Sequence, residues 1–141
     1  MDVSRGAIKP KSAVYSTKTL KEGGEDAVGM VMAIAWHPDV EDLNPELNFA
    51  GKSKDLWGAP VNWATAMSYN AAKAMIEALR QETNPSRAGI QKQLMASTFS
   101  VNGVSGEFKF SQTGHAGTLA KFVEVRSDNR SAIGYSFVPV R

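Results

Sequence analysis

The chain has 141 residues, of which 43% are hydrophobic, and its 16 basic and 14 acidic residues leave a net charge of +2. This composition is typical of a folded globular protein, and so small and dispersed a charge gives no reason to expect a nucleic-acid or polybasic membrane partner. The absence of cysteine excludes disulfides, thiolate metal sites and cysteine nucleophiles.

The first two predicted elements are a short helix and a strand. Ser16 is a suitable N-cap for a helix TKTLKE, which Gly23 and Gly24 would end. The following run VGMVMAIAW, residues 28–36, is apolar at nearly every position, which is typical of a strand buried on both faces of an α/β sheet. A buried helix is the alternative, but the length favours a strand and is far below the roughly 20 residues of a membrane helix. His37-Pro38-Asp39 then ends the strand.

Three helices are predicted in the middle of the chain. Asn44-Pro45 is a start signal for a helix that extends to Trp57. The strongest helical pattern covers residues 62–81, with a polar stripe and many alanines that indicate close packing against a neighbour. After the break Thr83-Asn84-Pro85-Ser86, residues 88–95 are predicted as a third helix.

The C-terminal part changes to strand periodicity. The stretch GVSGEFKFSQTGHAGTLAKFVEV, residues 103–125, is predicted as two strands around a turn, with Phe108 and Phe110 on one face. Alternation at residues 119–125 and 133–138 brings the prediction to three strands from Phe99 onward. Such a hairpin either closes a small self-contained domain or ends a larger fold.

Patterns for catalysis and metal binding are weak. The chain contains no G-x-S-x-G elbow, P-loop or dinucleotide-binding glycine fingerprint. HPDVED, residues 37–42, combines a histidine with three carboxylates and could bind a divalent metal. A solvated turn is favoured, because the only other histidine, His115, could approach only through folding. We therefore predict no catalytic residue, no metal site, no cofactor and no enzymatic activity.

Four stretches together resemble the C-terminal part of a type I periplasmic binding protein, the receptor family for amino acids, amides and related solutes in ABC transport. They are GGEDAVGMVMAIAW, NWATAMSYNAAKAMIEAL, NPSRAGIQKQL and SVNGVSGEFKFSQTGHAG. The resemblance extends from about Lys11 to Val125. Two positions differ from the family pattern: Asn70 replaces the aspartate of "YDA", and His115 replaces an acidic residue that often follows the turn glycine.

The resemblance implies an α/β fold with two three-layer α/β/α lobes joined at a hinge. Family members are more than twice as long, so the chain is predicted to be a C-terminal fragment. By resemblance, residues 1–37 form a second-lobe segment up to the hinge, residues 38–122 a first-lobe segment, and residues 123–141 the return to the second lobe.

The function implied by the resemblance is capture of a small polar solute, an amino acid or amide, for an ABC permease. A ligand that contacts both lobes would stabilise the closed state. The receptor would be periplasmic or extracellular, and since MDVSRGAIKPKSAV lacks a signal-peptide core, the export signal is expected upstream.

Four residues are the candidate ligand contacts. Trp36 and His37 lie at the first predicted hinge crossing, and Trp63 and Tyr69 lie on the helix that resembles a cleft-lining element. The competing interpretation for each is core packing, because aromatic side chains in alanine-rich helices usually face a core.

Two other functions remain open from the sequence. One is a ligand-sensing regulatory domain of a receptor or signalling protein, which an attached kinase, DNA-binding or transmembrane segment would distinguish from a transport receptor. The other is association: a fragment of a two-lobed fold exposes faces that the missing part would cover, which predicts a homodimer in isolation.

Overall fold

The computed structural model describes residues 14–40, 47–117 and 120–140. They form two compact units, Met1–His37 with Ala120–Arg141 (the first unit) and Pro38–Leu119 (the second unit). The elements in chain order are α1 (Thr17–Gly23), a one-turn 3-10 helix (Gly24–Ala27), β1 (Val31–Ile34), α2 (Phe49–Trp57), α3 (Trp63–Gln81), α4 (Arg87–Leu94), β2 (Val101–Gly103), β3 (Gly106–Phe108), β4 (Lys121–Ser127) and β5 (Tyr135–Pro139). None of the described helices is long and apolar enough to cross a membrane.

The first unit is an antiparallel sheet with α1 against one face. β4 lies between β1 and β5, and Val123 is opposite Met32 on one side and Pro139 on the other. Val123 and Val125 are fully buried, and Val125 packs with Leu20 of α1 and Ala27. The predicted cap of α1 is confirmed, because the Ser16 hydroxyl accepts a hydrogen bond from the Thr19 amide.

The predicted strand at residues 28–36 was wrong in its length and in its burial. Only Val31–Ile34 is a strand, and Met32 and Ile34 are buried while Ala33 is exposed. Among the described strands it pairs with β4, in an antiparallel sheet, and its buried residues lie on one face. The unbroken run of apolar residues in the sequence therefore did not mean that the strand is buried on both faces.

The second unit contains the three helices and a hairpin. Asn62 caps α3 by accepting hydrogen bonds from the amides of Ala64 and Thr65, and Ser86 caps α4. Ala74 and Ala78 of α3 pack against the hairpin residues Val101 and Phe108 and against Phe99, and α4 packs beside them through Ile90 and Leu94. This confirms the close approach predicted from the alanines. The predicted start of α2 at Asn44-Pro45 lies outside the described residues.

The predicted pairing within residues 103–125 was also wrong. β3 pairs back with β2, with Val101 opposite Phe108, and β4 belongs to the sheet of the first unit. Gly106 has φ +92°, a conformation that glycine adopts without strain, and it allows the tight turn at Val104-Ser105. Alternation of apolar and polar residues identifies a strand but not its pairing partner. The segment predicted as one strand is therefore a hairpin of its own, β2–β3.

Truncation at the sheet centre tests the importance of the β4 side chains. We expect Val123→Ala to lower the free energy of unfolding by about 2 kcal/mol, because it removes buried methyl groups and leaves a cavity. Val140→Ala is the matched control, since Val140 is 45% exposed. Urea denaturation measures both variants, and equal losses would contradict the assignment of β4 as the core strand.

Asp128, in the β4–β5 turn, should make the stability of the fold depend on pH. Hydrogen bonds from the Arg130 amide and side chain lower the pKa of the Asp128 carboxyl from its usual range. A carboxylate with a lowered pKa stabilises the fold above its unfolded-state pKa, and this stabilisation is lost as the pH falls through the folded-state pKa. The wild type should therefore lose stability more steeply than Asp128→Asn on acidification below about pH 4. Parallel stability profiles of the two proteins would contradict this.

Candidate functional site

Trp36 and His37 follow β1 in the first unit and are both buried. Trp36 is 1% exposed and His37 is 5% exposed. Nε2 of His37 lies 3.2 Å from the carbonyl oxygen of Phe137, to which the Nε2-protonated ring can donate, and the Tyr15 ring centroid is 6.1 Å away. These contacts attach the end of β1 to β5 across the sheet.

Trp63 and Tyr69 lie on α3 in the second unit and are half-buried. Trp63 is the first residue of the helix, directly after its Asn62 cap. The two aromatic residues are six positions apart, which places them about 120° apart around the helix axis. They therefore do not share one face of α3.

A groove in the second unit contains one of the four predicted ligand residues, Tyr69. It has a volume of about 310 Å³ and is lined by Leu47, Phe49, Lys52, Ser53, Leu56, Trp57 and Tyr69. The Phe49 and Tyr69 rings are 5.1 Å apart and tilted by 53°, as in favourable aromatic pairs. We call this the aromatic groove. Trp63 is not among its lining residues.

Sequence analysis missed Phe49 and Trp57 as groove residues. Trp57 was predicted only as the end of this helix, and in the structure Trp57 is 56% exposed and its neighbour Leu56 is 72% exposed. The helix ends directly after Trp57, at Gly58 with φ +66°, which leaves these two side chains without a following turn to cover them. The sequence did contain a signal for these exposed side chains, namely the apolar pair Leu56-Trp57 directly before the helix-terminating Gly58.

The aromatic groove can hold an apolar or planar group beside one positive charge. Among the described residues that line it, Lys52 is the charged one. Lys73 lies near its edge, with Nζ 5.9 Å from the Tyr69 ring centroid, and donates a hydrogen bond to the Asn102 carbonyl oxygen. Such a lining suits hydrophobic packing and attraction of a carboxylate.

A second groove, of about 340 Å³, has a more polar lining. It lies between the segment that follows α4 and strand β3, and its lining residues are Ser97, Thr98, Phe99, Ser100, Glu107, Phe108, Lys109 and Gly117. Three hydroxyls, a carboxylate and an ammonium group surround a floor of two buried phenylalanines. The groove therefore offers hydrogen bonds of both polarities.

The side chain of Asn70 fixes α3 against the β2–β3 hairpin. Its Nδ2 donates to Ser105 Oγ and its Oδ1 accepts from the Val104 amide, both at 2.8 Å, and the side chain is buried. A Cβ on Gly103 would overlap Asn70 Oδ1 and lie 2.9 Å from the Phe108 ring. Asn70, which replaces the aspartate of the family pattern, thus both donates and accepts a hydrogen bond at the hairpin turn.

The second departure, His115, lies in an exposed turn. Its Nδ1 is 3.0 Å from the Thr113 hydroxyl, and its amide donates to Ser111 Oγ. Within residues 14–40, 47–117 and 120–140, no three potential metal ligands of the His, Cys, Asp or Glu type come together. Glu41 and Asp42 of the HPDVED stretch lie outside those ranges.

Comparison with known proteins gives matches at the level of structure. No protein-family model matches the sequence, and no curated protein matches it either. A binding protein for leucine, isoleucine, valine, threonine and alanine from Brucella ovis superposes with a TM-score of 0.71 at 18% identity, over 89% of this chain and 34% of that one. A leucine-binding protein from Thermotoga maritima superposes with a TM-score of 0.65 at 19% identity, over 85% of this chain and 33% of that one.

A third match is a solute-binding protein of an ABC transporter from Rhodopseudomonas palustris, solved with 3,4-dihydroxybenzoic acid. Its TM-score is 0.70 at 12% identity, over 95% of this chain and 36% of that one. The chain has part of the type I periplasmic-binding-protein fold. It spans about a third of the length of these periplasmic binding proteins. The predicted fold class and the resemblance are confirmed. The share of the matched proteins' length that the chain covers fits a fragment.

The contact between Asn70 and Gly103 gives a double-mutant test. We expect Asn70→Ala to cost about 2 kcal/mol, because the Val104 amide stays buried without its acceptor. Gly103→Ala should cost about 2 kcal/mol alone, through overlap with Asn70, and about 1 kcal/mol or less in the Asn70→Ala background.

Denaturant unfolding of both single variants and the double variant measures this coupling. Asn129→Ala, in the exposed β4–β5 turn, is the control for loss of an asparagine side chain. Additive losses would show that the two residues act independently.

Proposed function

We propose that this chain is the C-terminal part of a periplasmic or extracellular receptor that captures a small solute for an ABC permease. The observation that carries the proposal is the superposition of most of the chain on solute-binding proteins of this fold. In such a receptor, ligand binding favours the closed arrangement of two lobes, and the permease acts on that arrangement. The proposed function is binding and delivery, without catalysis.

The proposed solute is a small carboxylate with an apolar or aromatic body, an amino acid in the first instance. The names of the matched proteins include leucine, isoleucine, valine, threonine, alanine and a dihydroxybenzoic acid, all of which carry a carboxyl group. An amide remains part of the proposal from the sequence. Pockets for such solutes combine apolar walls with a few placed polar groups.

The four ligand residues predicted from the sequence enter the proposal with unequal support. Trp63 and Tyr69 are partly exposed, and Tyr69 lines the aromatic groove, so they can meet a solute without rearrangement. Trp36 and His37 are buried and would contact a solute only after local movement. We therefore propose Tyr69 as the first of the four to substitute.

The matched proteins are about three times the length of this chain, so we propose that the complete site needs residues beyond it. Part of a cleft cannot remove a ligand from water and complete its hydrogen bonds. In isolation, the chain is proposed to self-associate into a homodimer, because the faces that the absent part would cover stay exposed.

The test is a ligand screen on the two-lobed protein encoded around this chain, beside the 141-residue chain alone. The panel contains the common amino acids, small amides and 3,4-dihydroxybenzoate, with glucose as an uncharged control. We expect saturable binding of one carboxylate class by calorimetry, with a thermal shift that grows with ligand concentration. The isolated chain should bind roughly a hundredfold more weakly or worse.

Absence of saturable binding across the panel would remove the proposed function. Binding of equal strength by the isolated chain would instead place the whole site within these residues. Tyr69→Ala in the two-lobed protein tests the residue assignment separately, with Lys54→Ala, an exposed α2 residue outside the groove lining, as the control.

A further inference from the structure

Asn102 is the only asparagine of the chain that a glycine follows. It lies in the middle of β2 and is exposed, while Gly103 after it is buried. Because glycine has no side chain, nothing on residue 103 keeps its amide nitrogen away from the carboxamide of Asn102. The two groups can therefore react with each other, and the other asparagines of the chain are more hindered.

The reaction is a cyclisation followed by hydrolysis. The Gly103 nitrogen attacks Asn102 Cγ, so a bond between these two atoms forms and the Cγ–Nδ2 bond breaks. The Nδ2 amino group leaves as ammonia with the proton of the Gly103 amide, which gives a succinimide. Water then opens the ring: addition at Cγ gives aspartate, and addition at the main-chain carbonyl carbon gives isoaspartate. Water is the only co-reactant, and the neighbouring positions give the reacting groups a high effective concentration.

The closed β2–β3 hairpin holds the two reacting groups apart. In an extended strand the ψ angle of Asn102 is far from the value that brings the Gly103 nitrogen to Cγ, so cyclisation requires a large rotation about one backbone bond. That rotation would break the pairing of Asn102 with Glu107 and of Gly103 with Gly106. The reaction therefore proceeds from the open hairpin, and its rate follows the population of that state.

Two polar contacts from α3 keep this hairpin closed. Nζ of Lys73 donates to the carbonyl oxygen of Asn102, 2.6 Å away, and this carbonyl belongs to the peptide group that must rotate. Asn70 holds the turn that follows, through its buried hydrogen bonds to the Val104 amide and the Ser105 hydroxyl. A two-stranded hairpin of three register pairs is at best marginally stable alone, so the contacts with α3 decide how often it opens.

We propose that Asn102 is a modification site that converts slowly and spontaneously to aspartate and isoaspartate, at a rate set by the hydrogen bonds of Asn70. The reacting atoms and the contacts that restrain them all belong to the second unit of this chain. The inference goes beyond the proposed receptor function and does not depend on it.

Either product weakens the hairpin. Aspartate at position 102 places a negative charge opposite Glu107 in the register, and like charges directly opposite each other destabilise a strand pair. Isoaspartate has the larger effect, because it adds a carbon atom to the main chain of β2 and shifts Gly103 from its close approach to Asn70 Oδ1. Modified chains therefore open more readily, and the second unit loses stability as the protein ages.

The test is the rate at which Asn102 is converted, measured by chromatography and mass spectrometry of peptides from the 141-residue chain after incubation at mildly alkaline pH. We expect the folded wild type to react roughly a hundredfold more slowly than the chain unfolded in urea, because the hairpin must open first. Asn70→Ala should raise the rate in the folded state at least roughly tenfold, because the Val104 amide loses its buried acceptor.

Other positions separate the role of Asn70 from a general loss of stability. Ser105→Ala removes only the acceptor of the Asn70 Nδ2 bond and should raise the rate roughly threefold or more. Ser68→Ala removes an exposed hydroxyl from the same helix and, as the matched control, should leave the rate unchanged. Asn129, which an arginine follows in the exposed β4–β5 turn, is an internal control whose rate should not respond to Asn70→Ala. Circular dichroism and urea denaturation show which variants are folded.

Equal rates in the folded and the urea-unfolded wild type would overturn the proposal, because the hairpin would then give no protection. Absence of conversion at Asn102 in the unfolded chain would remove the site itself. Wild-type rates in folded Asn70→Ala and Ser105→Ala would show that Asn70 does not set the rate, and Ser105→Ala alone decides this if Asn70→Ala does not fold. The measurements use no solute, so the proposed receptor function is judged separately.

Discussion

The antiparallel pairing of β1 with β4 is the constraint on which the rest of the chain depends. Ile34, at the end of β1, is the register partner of Lys121, at the start of β4. The intervening chain, which includes all of the second unit, must therefore leave and return at adjacent strand ends. The free energy that holds this closure comes from the buried face of the sheet, where Val123 and Val125 have no exposed surface. Without it, the entropy of closing so long a loop would oppose the pairing.

Within the second unit, the hydrogen bonds of Asn70 have a similar organising role. They connect the middle of α3 to a hairpin that follows more than 30 residues later, and they fix which side of the helix is buried. Because Gly103 has no side chain, the hairpin backbone approaches the carboxamide directly. The same rotation of α3 leaves Met75, Ile76 and Leu79 outside. The buried hydrogen bonds of Asn70 and the exposure of Met75, Ile76 and Leu79 therefore both result from one orientation of α3.

The candidate ligand residues illustrate how burial and function compete for aromatic side chains. Trp36 and His37 stabilise the end of β1, where their burial leaves little surface for a ligand. The Tyr69 ring packs against Phe49, and both residues line the aromatic groove. Solute-binding proteins of this fold are about three times as long as this chain. The proposed function therefore refers to the two-lobed protein and not to this chain alone.

The sequence alone determined that these helices exist, that Ser16 caps the first of them, and the family resemblance, because these depend on local spacing and turn chemistry. Only the tertiary structure decided which strands pair, because alternation marks a strand but carries no information about its partner. It also decided that β1 is covered on one face and that Trp57 lines a groove. Both outcomes depend on residues distant in the sequence, whose contacts local patterns do not encode.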